Sequence, residues 1–277
     1  MTHRPRTETA LRTHIDSIAM NGDIPARRAG FARLAGPQPG AERVDMGGVP
    51  CLAVGDGPVL LWLHGGGYVV GSAQTHLTLA HALAAGGVRV VLPEYRLAPE
   101  HVWPAMLDDA LAVRDALGPR PVVVGGDSAG GHLALAIARR RACAGVALIS
   151  PNTDRTGRSA TRGRTGDAMN DDATDAWLAA IAMPDMPPDD PDLSPLLADL
   201  AGLAPLHIEL AGAEMLLDDG LLLARAAALQ GVQTHLHVTP GLFHLFALWP
   251  DAVPEGAAAL ARIARFATRC SARGGST

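Results

Sequence analysis

From about residue 58 onward, short apolar runs alternate with longer stretches whose apolar residues recur at helical spacing. The runs Val59–Leu63, Val88–Leu92, Val122–Gly125, Gly145–Ile149, Leu206–Leu210 and Thr234–Val238 read as buried strands, each too short to be a helix. Nearly continuous apolar character is what strands need when both faces of a parallel sheet are covered. Helical spacing runs over Thr75–Ala85, Ala105–Ala116, Gly130–Arg140 and Asp219–Gln230. This alternation predicts an α/β fold, a mostly parallel central sheet with helices on both faces.

Two segments interrupt the rhythm. Residues 1–40 read as one or two short helices and a Pro/Gly-containing link. Residues 152–195 carry turn formers, a charged tract at Arg155–Arg164, a helical piece at Asp172–Met183 and the Pro-rich MPDMPPDDPDLSP. An insertion of that length exceeds a simple strand connector. The two segments are expected to form a small helical cap over the C-terminal edge of the sheet, within a single domain spanning 1–277.

Composition acts mainly by exclusion. With 277 residues, 48% of them hydrophobic, the chain can bury a substantial core. A net charge of -5 with scattered arginines gives no footprint for nucleic acid. No apolar run reaches the roughly 18 residues of a membrane span, and the basic N-terminus lacks the apolar block of a secretory leader. Cys51, Cys143 and Cys270 lie far apart, which gives neither a disulfide framework nor a metal site. The expectation is a soluble, cytoplasmic protein.

The densest chemical signal is Gly126-Asp127-Ser128-Ala129-Gly130, directly after one predicted strand and before one predicted helix. A sharp strand-to-helix turn strains the serine backbone and lifts its hydroxyl clear of the sheet, and residues two positions away must lack Cβ for the turn to close. The following helix N-terminus adds positive potential where an oxyanion would develop. His64-Gly65-Gly66-Gly67 also ends a strand, and consecutive glycines let backbone N–H groups approach a reacting carbonyl. No Lys-Ser/Thr follows it, which excludes a Walker loop.

In this arrangement the acid and base follow the serine in that order. Of the later histidines, His207, His235 and His237 fall inside strand-like runs, and His132 lies on the helix after the elbow. His244 falls in the loop after the last predicted strand, where a base can be presented to Ser128. Two acids compete: Glu214, just past the strand Leu206–Leu210, and Asp218, one helical turn later and equally placed to cap a helix.

These motifs, with Tyr95-Arg96-Leu97-Ala98-Pro99-Glu100-His101 and Ser194-Pro195-Leu196, resemble the hormone-sensitive-lipase-like bacterial esterases of the α/β-hydrolase superfamily from about Leu61 to Phe246. The resemblance implies a cap built partly from the N-terminus and an oxyanion hole from the N–H groups of Gly66, Gly67 and Ala129. It also implies that His64 braces the glycine loop and that Tyr95–His101 supports the fold; Gly65, Asp127 and Asp218 are read as further supporting positions. The sequence departs from the commonest pattern in carrying Glu214 where aspartate is usual, and it is short for the family, which implies a reduced cap.

The expected activity is hydrolysis of a short-chain or acetyl ester through an acyl-enzyme on Ser128, with His244 as base, Glu214 as acid and no metal or organic cofactor. A dedicated tailoring enzyme on the same residues (deacetylase, acyl-eliminating enzyme or lactone hydrolase) is the alternative, and a non-catalytic ligand receptor is a distant one. The partner is a small-molecule ester; a homodimer is compatible with the sequence.

Overall fold

The computed structural model describes residues 4–164 and 166–274. Its centre is an eight-stranded sheet built from β1 (Glu42–Met46), β2 (Val49–Val54), β3 (Val59–Leu63), β4 (Arg89–Pro93), β5 (Val122–Asp127), β6 (Gly145–Ile149), β7 (Leu206–Ala211) and β8 (Thr234–Thr239), in the order β1-β2-β4-β3-β5-β6-β7-β8. Strands β3 to β8 run parallel and β2 runs against β4, so the sheet is mostly parallel. All of β3, β5, β6 and β7 is buried, in keeping with their apolar runs.

The helices are α1 (Glu8–Ser17), α2 (Ile24–Ala35), α3 (Leu77–Ala84), α4 (Ala105–Ala116), α5 (Ala129–Ala138), α6 (Asp172–Ala182), α7 (Leu217–Leu229) and α8 (Pro254–Gly274). Local chemistry starts three of them. The side chains of Thr7, Asp23 and Asp171 accept the N–H groups of Ala10, Ala26 and Thr174, satisfying donors that a helix leaves free. None of the described helices is long and apolar enough to cross a membrane.

Several expectations shift. The stretch Thr75–Ala85 divides into a single 3-10 turn, Gln74–His76, and α3. Helix α5 begins one residue earlier than expected, so Ser128 itself precedes the first helical residue. The β8 run is not covered on both faces: it is the edge strand, with His235, Leu236 and His237 exposed. The hairpin β1–β2 lies outside the expected set; Gly47 and Gly48 make its two-residue turn at φ 67 and 82, which only glycine adopts cheaply. Helix α8 is likewise additional, and its Arg262 makes two 2.8 Å hydrogen bonds to the fully buried Glu209 on β7.

Candidate active site

Strand β5 runs directly into α5, leaving Ser128 at φ 53, ψ -120 in the turn between them. That left-handed conformation is costly for a residue with a Cβ. Tight packing imposes it: a Cβ at Gly130 would lie 2.0 Å from the Leu63 carbonyl oxygen, and one at Gly126 would lie 2.4 Å from the Gly130 carbonyl carbon. The Ser128 N–H donates to Ile149 O at 3.0 Å, and its own carbonyl accepts the His132 N–H at 3.1 Å.

The glycine loop leaves β3 beside this elbow. Gly66 and Gly67 have φ 117 and 61, and Tyr68 follows at φ 64. Asp127 joins the two turns: its carboxylate accepts Gly65 N at 3.0 Å, Trp62 Nε1 at 3.0 Å and His76 Nε2 at 3.1 Å. Burial would raise the pKa of Asp127, but the charge and hydrogen bond of His76, with the Trp62 hydrogen bond, hold it below the ordinary carboxylate value. His64 donates Nδ1–H to Gly65 O at 2.8 Å and stacks on Tyr95 at 4.1 Å, while the Tyr95 hydroxyl donates to His64 O at 2.5 Å. Burial, then the neighbouring His76, pushes the His64 imidazole down to about 3, so it remains neutral. A second tie links the loop to α5: the Tyr68 hydroxyl and His132 Nδ1 share a 2.6 Å hydrogen bond between buried side chains.

His244, buried in the loop after β8, hydrogen-bonds Glu214 Oε2 through Nδ1 at 2.9 Å. Glu214 is fully buried, and its Oε1 accepts Ala211 N at 2.8 Å, which fixes the carboxylate plane. Burial disfavours the His244 imidazolium, yet the Glu214 hydrogen bond and charge, aided by Asp167 and Asp127, raise its pKa above the ordinary histidine value. Asp218 points elsewhere: it accepts Ala160 N at 2.7 Å, anchoring the long segment after β6. Among the described residues no hydrogen bond joins Ser128 Oγ to His244, though both line the same cavity.

Ser128, His244, Gly66 and Gly67 open onto one cavity of about 550 Å³. Both interrupting segments line it: Ile15, Phe31 and Leu34 come from the N-terminal helices, and Asp167, Met169 and Leu178 from the insertion between β6 and β7. Leu178 stands over the glycine loop, so closely that a Cβ at Gly67 would lie 2.6 Å from its Cδ1. Arg27 of α2 lies over the Trp177 ring of α6 at 4.3 Å. A buried ionic cluster fastens α6 to α7: Arg162 contacts Asp175 at 2.6 Å and Asp219 at 2.7 Å, and Arg155 also pairs with Asp175. Asp219 further accepts the N–H groups of Thr153 and Asp154, both at 2.9 Å.

Of the positions picked from sequence, Ser128, Gly66, Gly67 and His244 meet at the cavity, and Glu214 stands behind His244. His64, Gly65 and Asp127 pack beneath the glycine loop, and Ala129 follows Ser128 as the first residue of α5. The sequence assigns no role to His76 and Asp167, since a lone histidine or carboxylate carries no motif, nor to Trp62 and Tyr68 beside the glycine loop, whose partners Asp127 and His132 only the folded contacts reveal. Among the described residues no group of three or more His, Cys, Asp or Glu is arranged to hold a metal ion.

A mostly parallel sheet with a strained serine between β5 and α5, beside a glycine loop, is the arrangement of an α/β-hydrolase fold, and comparison narrows the class. A family model described as alpha/beta hydrolase fold matches residues 60–248. An esterase of Acinetobacter venetianus is 33% identical over 76% of this chain and 74% of its own. An acetyl-hydrolase of Streptomyces hygroscopicus is 35% identical over 74% and 73% of the two chains. A solved structure of an esterase from the bacterial hormone-sensitive lipase family superposes with TM-score 0.88 and 32% identity, covering 97% of this chain and 99% of that one. The two chains align over nearly their whole lengths. The chain belongs to the hormone-sensitive-lipase-like esterases of the α/β-hydrolase fold and is a carboxylic ester hydrolase.

Proposed function

We propose that Ser128 is the nucleophile, His244 the base and Glu214 the acid of a two-step acyl transfer on a short-chain or acetyl ester. The observation that carries this is the 2.9 Å hydrogen bond between His244 Nδ1 and Glu214, with His244 and Ser128 opening onto one cavity. With Nδ1–H donated to Glu214, Nε2 is left as the acceptor, the tautomer that takes the Ser128 proton as Oγ attacks the ester carbon. The N–H groups of Gly66, Gly67 and Ala129 receive the oxyanion; removing one such donor typically costs about 2.7–4 kcal/mol. His244 then gives the proton to the leaving alcohol. Water next loses a proton to Nε2 as it attacks the acyl-enzyme, and Ser128 takes that proton back as the acid departs.

Residues 1–40 and 152–195 act as the cap, a reading supported by their shared lining of the cavity. The acetyl-hydrolase relative and the close approach of Leu178 to the glycine loop favour a small acyl group. Three free cysteines fit the cytoplasm. The test is Ser128→Ala: hydrolysis of p-nitrophenyl acetate and butyrate should fall about 10³-fold or more with the circular dichroism spectrum unchanged. Wild-type turnover in this variant would remove Ser128 from the mechanism.

A further inference from the structure

The insertion between β6 and β7 does more than cover the cavity. Its Asp167 is half-buried at the cavity wall, and its two oxygens hold two different loops. Oδ1 accepts the backbone N–H of His244 at 3.1 Å, and Oδ2 accepts that of Met215, the residue after Glu214, also at 3.1 Å. Met169 N donates to Oδ1 at 3.1 Å, which fixes the carboxylate within its own turn. The loops after β7 and β8 already touch through Gly212 N–Thr239 O at 2.7 Å and Ala213 N–Leu242 O at 2.9 Å. Those contacts lie at the bases of the loops; the Asp167 carboxylate spans them at the level of the acid and the base.

We propose that Asp167 is a positioning residue for ester hydrolysis, setting the separation of His244 from Glu214 and Ser128 and adding negative charge beside the imidazole. The proposal rests on the reading of Ser128, His244 and Glu214 given above. A carboxylate suits the task because both loop groups are N–H donors and ionised oxygens only accept. The charged groups acting on His244 are Glu214, Asp167 and Asp127, all favouring the imidazolium that forms as Ser128 attacks. Coming from the insertion, Asp167 makes the catalytic geometry depend on the segment that covers the substrate.

The experiment compares Asp167→Asn with wild type on p-nitrophenyl butyrate across pH. The neutral amide presents N–H to a loop donor, so kcat should fall about 10- to 100-fold, as small misplacements of reacting groups do. KM should stay within about twofold, since the substitution acts on His244 rather than on uniform substrate binding. The acid limb of kcat/KM should move to lower pH, because a charge favouring imidazolium is gone; a purely structural role would lower activity and leave the limb in place. Wild-type kcat with an unmoved limb overturns the proposal. Should Asp167→Asn not fold, Asp167→Ser is read instead: it should lose kcat and move the limb to lower pH in the same way, and an unmoved limb overturns the proposal. Ser128→Ala runs in parallel. If it is inactive while the Asp167 variants match wild type, only this inference fails; if it retains activity, the triad reading fails first.

Discussion

The carboxylate of Asp127 accepts the backbone N–H of Gly65 at 3.0 Å, so the residue before Ser128 also holds the start of the glycine loop. The contact admits no substituent: a Cβ at Gly65 would lie 2.3 Å from Asp127 Oδ2. One buried side chain therefore ties Ser128 to the glycine loop, the proposed nucleophile to the proposed oxyanion donors.

Asp127→Asn places a donor where only N–H groups converge. Its kcat on p-nitrophenyl esters is expected to fall about 10²-fold, comparable to loss of an oxyanion donor, with a lowered melting temperature because a buried donor is left unpaired. Steady-state kinetics and thermal unfolding read both; wild-type kcat would mean the loop holds its place without Asp127.

The raised pKa of His244 fixes the sign of the pH dependence. The imidazole must be neutral to accept the Ser128 proton, so kcat/KM should fall as pH drops through a value above the ordinary histidine pKa of about 6.5. In Glu214→Gln the hydrogen-bonded charge is gone, and the limb should move to lower pH while the plateau falls. A limb that stays in place would show that Glu214 does not act on the base.

Arg162 is the charge partner of the fully buried Asp219 and shares Asp175 with Arg155. Arg162→Met leaves Asp219 buried without a cation and should cost about 3–5 kcal/mol of stability, measured as a lower urea midpoint. An unchanged midpoint would mean that the cluster contributes nothing to holding α6.

Gly130→Ala is expected to prevent folding or abolish activity, because its Cβ would meet the Leu63 carbonyl oxygen at 2.0 Å and backbone cannot step aside. Expression of a folded, fully active variant would contradict the elbow packing.

The parallel strands and the elbow were legible because their rules are local: buried apolar runs, and glycines where a Cβ cannot fit. Thr234–Val238 misled because its histidines alternate with Leu236, a pattern that suits an exposed edge better than a covered strand. The β1–β2 hairpin was available in Gly47-Gly48 between extended runs, the signature of a two-residue turn. The sequence already favoured Glu214 over Asp218 as the position just past the strand; that Glu214 reaches His244 while Asp218 turns to Ala160 N is visible only in the fold. His76 and Asp167 carry no sequence motif; their contacts, with Asp127 and with the Met215 and His244 N–H groups, exist only in the fold.

The most direct test of the central claim is to inactivate the protein with a fluorophosphonate and locate the adduct by peptide mass spectrometry. The account predicts a single stoichiometric adduct on Ser128, formed slowly or not at all in His244→Ala. An adduct on another residue, or none in active protein, would contradict it.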